Sequence, residues 1–330
     1  MALCINMTGN YRHRKRRLIK AMASSRPLPL VLSLLLLLIS QLSVGHGFQS
    51  PPHKLAYHGG PLLTGNIDVS ILYYGRIGHV QKSVIRTFLK SLNSVSAYGG
   101  AKPTVSTWWS MVESYQSFAG RHVRRSPKIR VRVASVVTDT SYSVGKVMTV
   151  DFIKLLVEKA TAGKRNTLAL IFTDRQVTVQ EMCTGRCAQH GAFGEQPYVL
   201  VGNPETECPG ACAWPFHKSD YGPQGVVLQP PSGNVGADAM IVSLASGLAD
   251  AVTNPFNTGF FQPGGGHGGL LGAGTVCQGM FGSGAFPGYT GKIRVDPKSG
   301  GAFNSHGVKG KKFLLPAVWN PATSSCWTPV

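Results

Sequence analysis

Ser246, Gly247 and Asp250 lie in the stretch SGLADAVTNP (246–255), within a run whose apolar spacing predicts a helix over 235–252. Positions 246 and 250 are four residues apart, the separation at which two side chains share one helix face and can hold one metal ion. The residue types do not suit that chemistry. A seryl hydroxyl is a poor neutral ligand for zinc. Glycine at 247 cannot take a proton where a metal-dependent hydrolase places its glutamate base. Only Asp250 keeps an atom that could reach a metal. The competing reading is a plain buried helix, in which Ala245, Ser246, Gly247 and Ala249 are small so that the helix can pack closely on a sheet.

Other constellations are weaker still. His190, His217, His267 and His306 fall on expected loops, and no two have ligand spacing. Asp139, Asp174 and Asp238 stand near element ends as possible acids, each without an identifiable partner carboxylate. There is no G-x-S-x-G elbow and no phosphate-binding glycine loop. No catalytic residue, cofactor or metal ligand is therefore assigned. Trp214-Pro215-Phe216 supplies an aromatic wall, suited to stacking on a sugar ring or to burial, and Phe286, Tyr289 and Trp319 share that ambiguity.

Charge gives a second candidate surface. Arg121, Arg124, Arg125, Lys128, Arg130 and Arg132 crowd into RHVRRSPKIRVR. KIRVRVASVV (128–137) alternates, so Ile129, Val131 and Val133 are expected to face the core and Arg130 and Arg132 the solvent. Arginine forks bind carboxylates in pairs, so a polyanion is the expected partner; a charged strand edge that deters aggregation is the bland alternative.

The elements that must position these residues can be read along the chain. Residues 1–47 form a signal peptide: seven basic residues, an apolar run from Leu28 to Leu42, small residues up to Gly47, and no acid. The run is shorter than the roughly 20 residues of a membrane span, so no anchor is expected after cleavage. Without this leader the chain keeps 26 Lys/Arg against 14 Asp/Glu, a net of +12. In an extracellular protein that excess points to an acidic glycan rather than to nucleic acid.

Six cysteines remain beyond the leader: Cys183, Cys187, Cys208, Cys212, Cys277 and Cys326. In an oxidising compartment they are expected to form three disulfides, with Cys277–Cys326 pinning the tail and the other four bridging within 183–212. The two C-x3-C pairs leave a zinc ribbon as the other possibility.

Residues 48–66 read as an extended arm and 67–255 as an α/β core. Strands are expected at 67–74, 128–137, 167–173 and 198–203. Helices are expected from Val80 to Leu92, after a Ser106 cap, and over 150–160 and 235–252. Residues 256–330 are rich in Gly and Pro and form a loop-rich extension packed on the core. The expected class is α/β, with a mixed or largely parallel sheet, flanking helices and a disulfide-stapled C-terminal part.

Long phrases of the chain carry a resemblance. YHGGPLLTGNIDVSILYYG (57–75), PTVSTWWSMVESY (103–115), ETECPGACAWPFH (205–217), the NPF at 254–256 and FGSGAFPGYTGKIRVDPKSGGAFNSHGVKGKKFLLPAVWNP (281–321) resemble the plant EXORDIUM-like, phosphate-induced protein family. The resemblance implies a secreted apoplast or cell-wall protein linked to growth regulation, brassinosteroid response and carbon status, and it brings no established catalytic activity. The partner it leaves open is an acidic wall polysaccharide or an apoplastic protein. A fainter similarity, over about ten residues, links SGLADAVTNP to the metal-binding helix of secreted zinc peptidases, which would make the core a degenerate peptidase-like one. The alternative to a binding protein is an extracellular hydrolase of glycan or peptide, with a site that only the fold assembles.

Overall fold

The computed structural model describes residues 55–95, 98–120, 127–220, 225–264, 269–286 and 288–329. The expected signal peptide, Arg121, Arg124, Arg125 and His267 lie outside the described residues.

Five strands form the central sheet: β1 (Asn66–Tyr74), β2 (Arg130–Asp139), β3 (Thr167–Thr173), β4 (Ala188–Phe193) and β5 (Gln196–Val201). Their order is β2-β1-β3-β5-β4; the first four run parallel and β4 runs antiparallel to β5 at one edge. The mixed α/β class expected from the sequence is the one observed. Every residue of β3 is buried, as a central parallel strand covered on both faces requires.

Period-2 alternation divides the apolar side chains between two cores. Ile67, Val69, Ile71 and Tyr73 of β1 join one face, while Leu72 and Tyr74 join the other. The first face is covered by α1 (His79–Leu92), α2 (Val105–Phe118) and α4 (Val235–Thr253), and the second by α3 (Val150–Thr161). Leu244 and Leu248 of α4 are fully buried, each burial contributing about 1.5–3 kcal/mol. By length and composition α4 would pass for a membrane span, yet 83% of its apolar window is buried in the fold: it is a core helix. Asn234 caps it, accepting from the Ala237 N–H, and Pro255 bars its continuation past Asn254.

Two sequence expectations need correction. The cap of α2 is Thr104, whose hydroxyl accepts from the Thr107 N–H; Ser106 lies inside the first turn. Val133 is on the same side as Ile129 and Val131 but is not covered by the core. Val69 pairs with Val133 but Ser70 pairs with Ser135, so Ala134 is an extra residue on β2. Ile129 and Val131 are buried before this bulge, whereas Val133 is 38% exposed. Beyond it the parity is reversed: Ser135 bonds to Ser70, and Val137 packs into the second core.

The C-terminal part holds short strands and docks on the helices. The indole N–H of Trp108 donates to the Pro316 carbonyl at 2.8 Å, and the Tyr115 hydroxyl donates to the Trp319 carbonyl. Cys277 is bonded to Cys326. Cys183–Cys208 and Cys187–Cys212 are the other two disulfides, so the zinc-ribbon alternative does not hold. Cys208 and Cys212 flank one helical turn, Pro209–Cys212, and four-residue spacing at both ends of the pair lets the two bridges run side by side. The N-terminal arm is tied in as well, with Ala56–Tyr57 pairing Phe260–Phe261.

Candidate binding cleft

A cleft of about 590 Å³ opens between β4 and one face of α4 and is bordered by the segment 269–281. β4 was not anticipated from the sequence. Ala188–Phe193 has no β-branched residue and contains Gly191, so its own propensity is weak. The signal present was the Gly194-Glu195 turn, with Gly194 at φ 61°, which closes a two-residue hairpin onto β5.

The ladder fixes which backbone groups of β4 are free. The Gly202 N–H donates to the Cys187 carbonyl, making that pair a hydrogen-bonded one. Alternate residues then point their backbone groups away from β5. Pro197, without an N–H, stands opposite Ala192, as this phase requires. Ala188, His190 and Ala192 thus present N–H and C=O groups at the sheet edge, where no described residue bonds to them.

The helix side explains the small residues. A Cβ on Gly247 would lie 2.9 Å from Val199 Cγ1 and 3.1 Å from Ala188 Cβ, so position 247 faces the sheet and not the cleft. Ser246 and Asp250 do line the cleft, and they also seat the loop that borders it. A Cβ on Gly272 would come within 2.3 Å of Asp250 Oδ1, and one on Gly274 within 2.4 Å of the Ser246 carbonyl. The Gly274 N–H donates to Asp250 Oδ1 at 2.6 Å. The face that a zinc peptidase would use for ligands is occupied here by packing and loop docking.

Two polar atoms in this region are left over. Asp250 is wholly buried, and its Oδ2 has no hydrogen-bond partner; burial pushes its pKa up, opposed first by the nearby His190. His190 sits on β4, not on a loop, and its Nε2 is likewise buried without a partner. A protonated Asp250 would supply a donor at the cleft wall, and His190 a donor or acceptor according to its tautomer. Trp214 lines the same cleft half-buried against Phe281, ring centroids 5.9 Å apart.

The remaining sequence candidates are dispersed. Lys128 pairs with Glu113 at 2.8 Å, and Arg132 forks onto Asp68 with both contacts at 2.8 Å, so neither guanidinium nor ammonium is idle. Of the described members of the basic run, only Arg130 has no ion pair. His217 is exposed and bonds Lys218, and His306 lies on a short strand against the Phe303 ring. Trp319 is buried, while Phe286 and Tyr289 form an exposed pair.

The three aspartates have structural work. Asp139 takes Lys159, Ser141 and Ser143, and although burial opposes it these bonds hold its carboxyl far below the usual range. Asp174 accepts from the Arg76 N–H and the Tyr142 hydroxyl. Asp238 holds Ser232 at the start of α4, and burial raises its pKa to about 6.

Residues 55–329 match the family described as "Phosphate-induced protein 1 conserved region". The chain belongs to this family. Among its relatives, Protein EXORDIUM-like 2 of Arabidopsis thaliana is 41% identical over 291 residues, covering 86% of this chain and 92% of that protein. Protein EXORDIUM of the same plant is 39% identical, over 91% and 97%. Protein PHOSPHATE-INDUCED 1 of Nicotiana tabacum is 37% identical, over 86% and 90%. No solved structure matches. The family match spans the residues of the sheet, the cleft and all three disulfides.

Proposed function

We propose that this chain is a secreted apoplast or cell-wall protein of the EXORDIUM type that acts by binding rather than catalysis. Its role is in the control of plant cell growth, including the brassinosteroid and carbon-status responses that the family resemblance implies. The ligand class we assign to the cleft is an extended segment of an extracellular protein. The observation that carries this is the free edge of β4 above α4. A peptide laid along it gains main-chain hydrogen bonds to Ala188, His190 and Ala192, with its side chains reaching the Trp214 and Asp250 region. Three disulfides suit export, and Gly247 offers no base where a metallopeptidase needs one.

The test is selection of peptides from a displayed library on the purified mature chain, followed by binding to His190→Pro. Proline removes an N–H that points out of the sheet, so the hairpin keeps its ladder while the edge loses a donor. Selected peptides should bind the variant at least about ten-fold more weakly; equal binding would reject the edge as the site.

The hydrolase alternative is favoured by one observation, the unpartnered atoms of Asp250 and His190 at the same cleft. Incubation of the wild-type protein with peptide and glycan substrates, with and without chelator, decides it: turnover that survives purification would replace the binding reading.

A further inference from the structure

The basic run at 121–132 loses most of its described cations to carboxylates, but another part of the molecule gathers basic side chains with no carboxylate among them. His79, Lys82, Arg86 and Lys90 of α1 fall at helical spacings of three, four and four residues, so they share one face. Lys309, more than 200 residues away in sequence, comes over that face on the turn Val308–Gly310, and together they line a hollow of about 240 Å³. No described carboxylate makes an ion pair with any of the five. Like charges four apart on a helix destabilise it by some tenths of a kcal/mol each, and α1 has no acid in its first turn to offset them.

Two of the cations are held in place. The Lys82 ammonium lies 5.0 Å from the centre of the buried Tyr73 ring. Lys309 sits in the left-handed region at φ 57°, a conformation that costs a lysine free energy. The turn that carries it is anchored on α1, where the Val308 N–H donates to Ser91 Oγ at 3.0 Å. The unrelieved repulsion between these like charges is what an anionic ligand would offset.

We propose that this groove binds a linear acidic polysaccharide, its uronate carboxylates lying along α1. Lys82, Arg86 and Lys90 succeed one another at about 6 Å along the helix axis. They form a line of charge for a repeating polyanion, not a single cradle for one phosphate. No Phe, Tyr or Trp lines the hollow and His79 is its one ring, so it offers no run of aromatic platforms for successive bases, and this sets nucleic acid aside. This surface is separate from the β4 cleft and stands or falls without it.

The experiment is titration of the mature protein with a de-esterified oligogalacturonate, its methyl-esterified form, and single-stranded DNA of equal charge, at low and high salt. Wild type should bind the de-esterified oligomer, lose it at high salt, and bind neither control comparably. The triple change Lys82→Gln, Arg86→Gln, Lys90→Gln should weaken binding about ten-fold or more. Arg130→Gln with Arg132→Gln should leave it unaltered. Because the triple change touches a core helix, Lys309→Gly provides the second arm. Glycine adopts the left-handed turn freely, so this variant should fold at least as stably as wild type and still bind less. Unchanged affinity in both groove variants, equal loss in the strand variant, or DNA binding as strong as uronate binding would overturn the proposal.

Discussion

Gly247 and Asp250 show how one helix position can imitate a lost catalytic site and be explained by packing. Gly247 is glycine because Val199 and Ala188 leave no space for a Cβ. Gly247→Ala should therefore cost about 1–3 kcal/mol in chemical denaturation with the disulfides intact; wild-type stability would show that α4 is not seated as tightly as described. Asp238 tests the electrostatics. Its folded pKa of about 6 lies above the ordinary aspartate value of 3.8. It therefore contributes stability in full below about pH 4, and that contribution is lost as pH rises through 6. The loss is at most about 3 kcal/mol. Asp238→Asn cannot ionise, so its stability relative to wild type should improve between pH 4 and pH 7. A difference independent of pH would contradict the burial argument.

At the scale of elements, most of the sheet was legible because burial dictates composition. TLALIFT can only be a covered strand, and the Trp108 and Trp109 face of α2 follows from helical spacing. What escaped was set by partners. β4 is a strand because β5 and the Gly194 turn make it one, and of its own six residues only Phe193 favours a strand. The bulge at Ala134 was hidden because the alternation through Val133 looks unbroken until the register with β1 is known. Deletion of Ala134 would join Val133 directly to Ser135 while keeping Val69 opposite Val133 and Ser70 opposite Ser135, so Val137 would stay in the second core. Yield of folded protein and Tm should therefore change little; a sharp drop in either would mean that the bulge is needed in its own right.

At the scale of the molecule, the C-terminal part is joined to the core by covalent and packing ties at once. Cys277 and Cys326 are 49 residues apart, and loss of a cross-link closing a loop of that length costs about 4 kcal/mol in the chain-entropy view. Replacing both with serine should lower stability by about that order in denaturant titration, and an unaltered midpoint would assign the docking to packing alone. The α1 groove could not be read from the sequence for a related reason. Its cations come from residues 79–90 and 309, and only the docked tail brings them together. The sequence instead drew attention to the contiguous run at 121–132, where Glu113 and Asp68 already answer Lys128 and Arg132.

In the proposed function the β4 edge of this family member holds an extended partner without cleaving it. The most direct measurement is residue-resolved amide hydrogen exchange on the mature protein with a library-selected peptide, with the peptide's mass followed in the same sample. Exchange at the outward N–H groups of Ala188, His190 and Ala192 should slow markedly, and the peptide should stay intact. Unprotected edge amides in the saturated complex, or a peptide cut during the incubation, would contradict it.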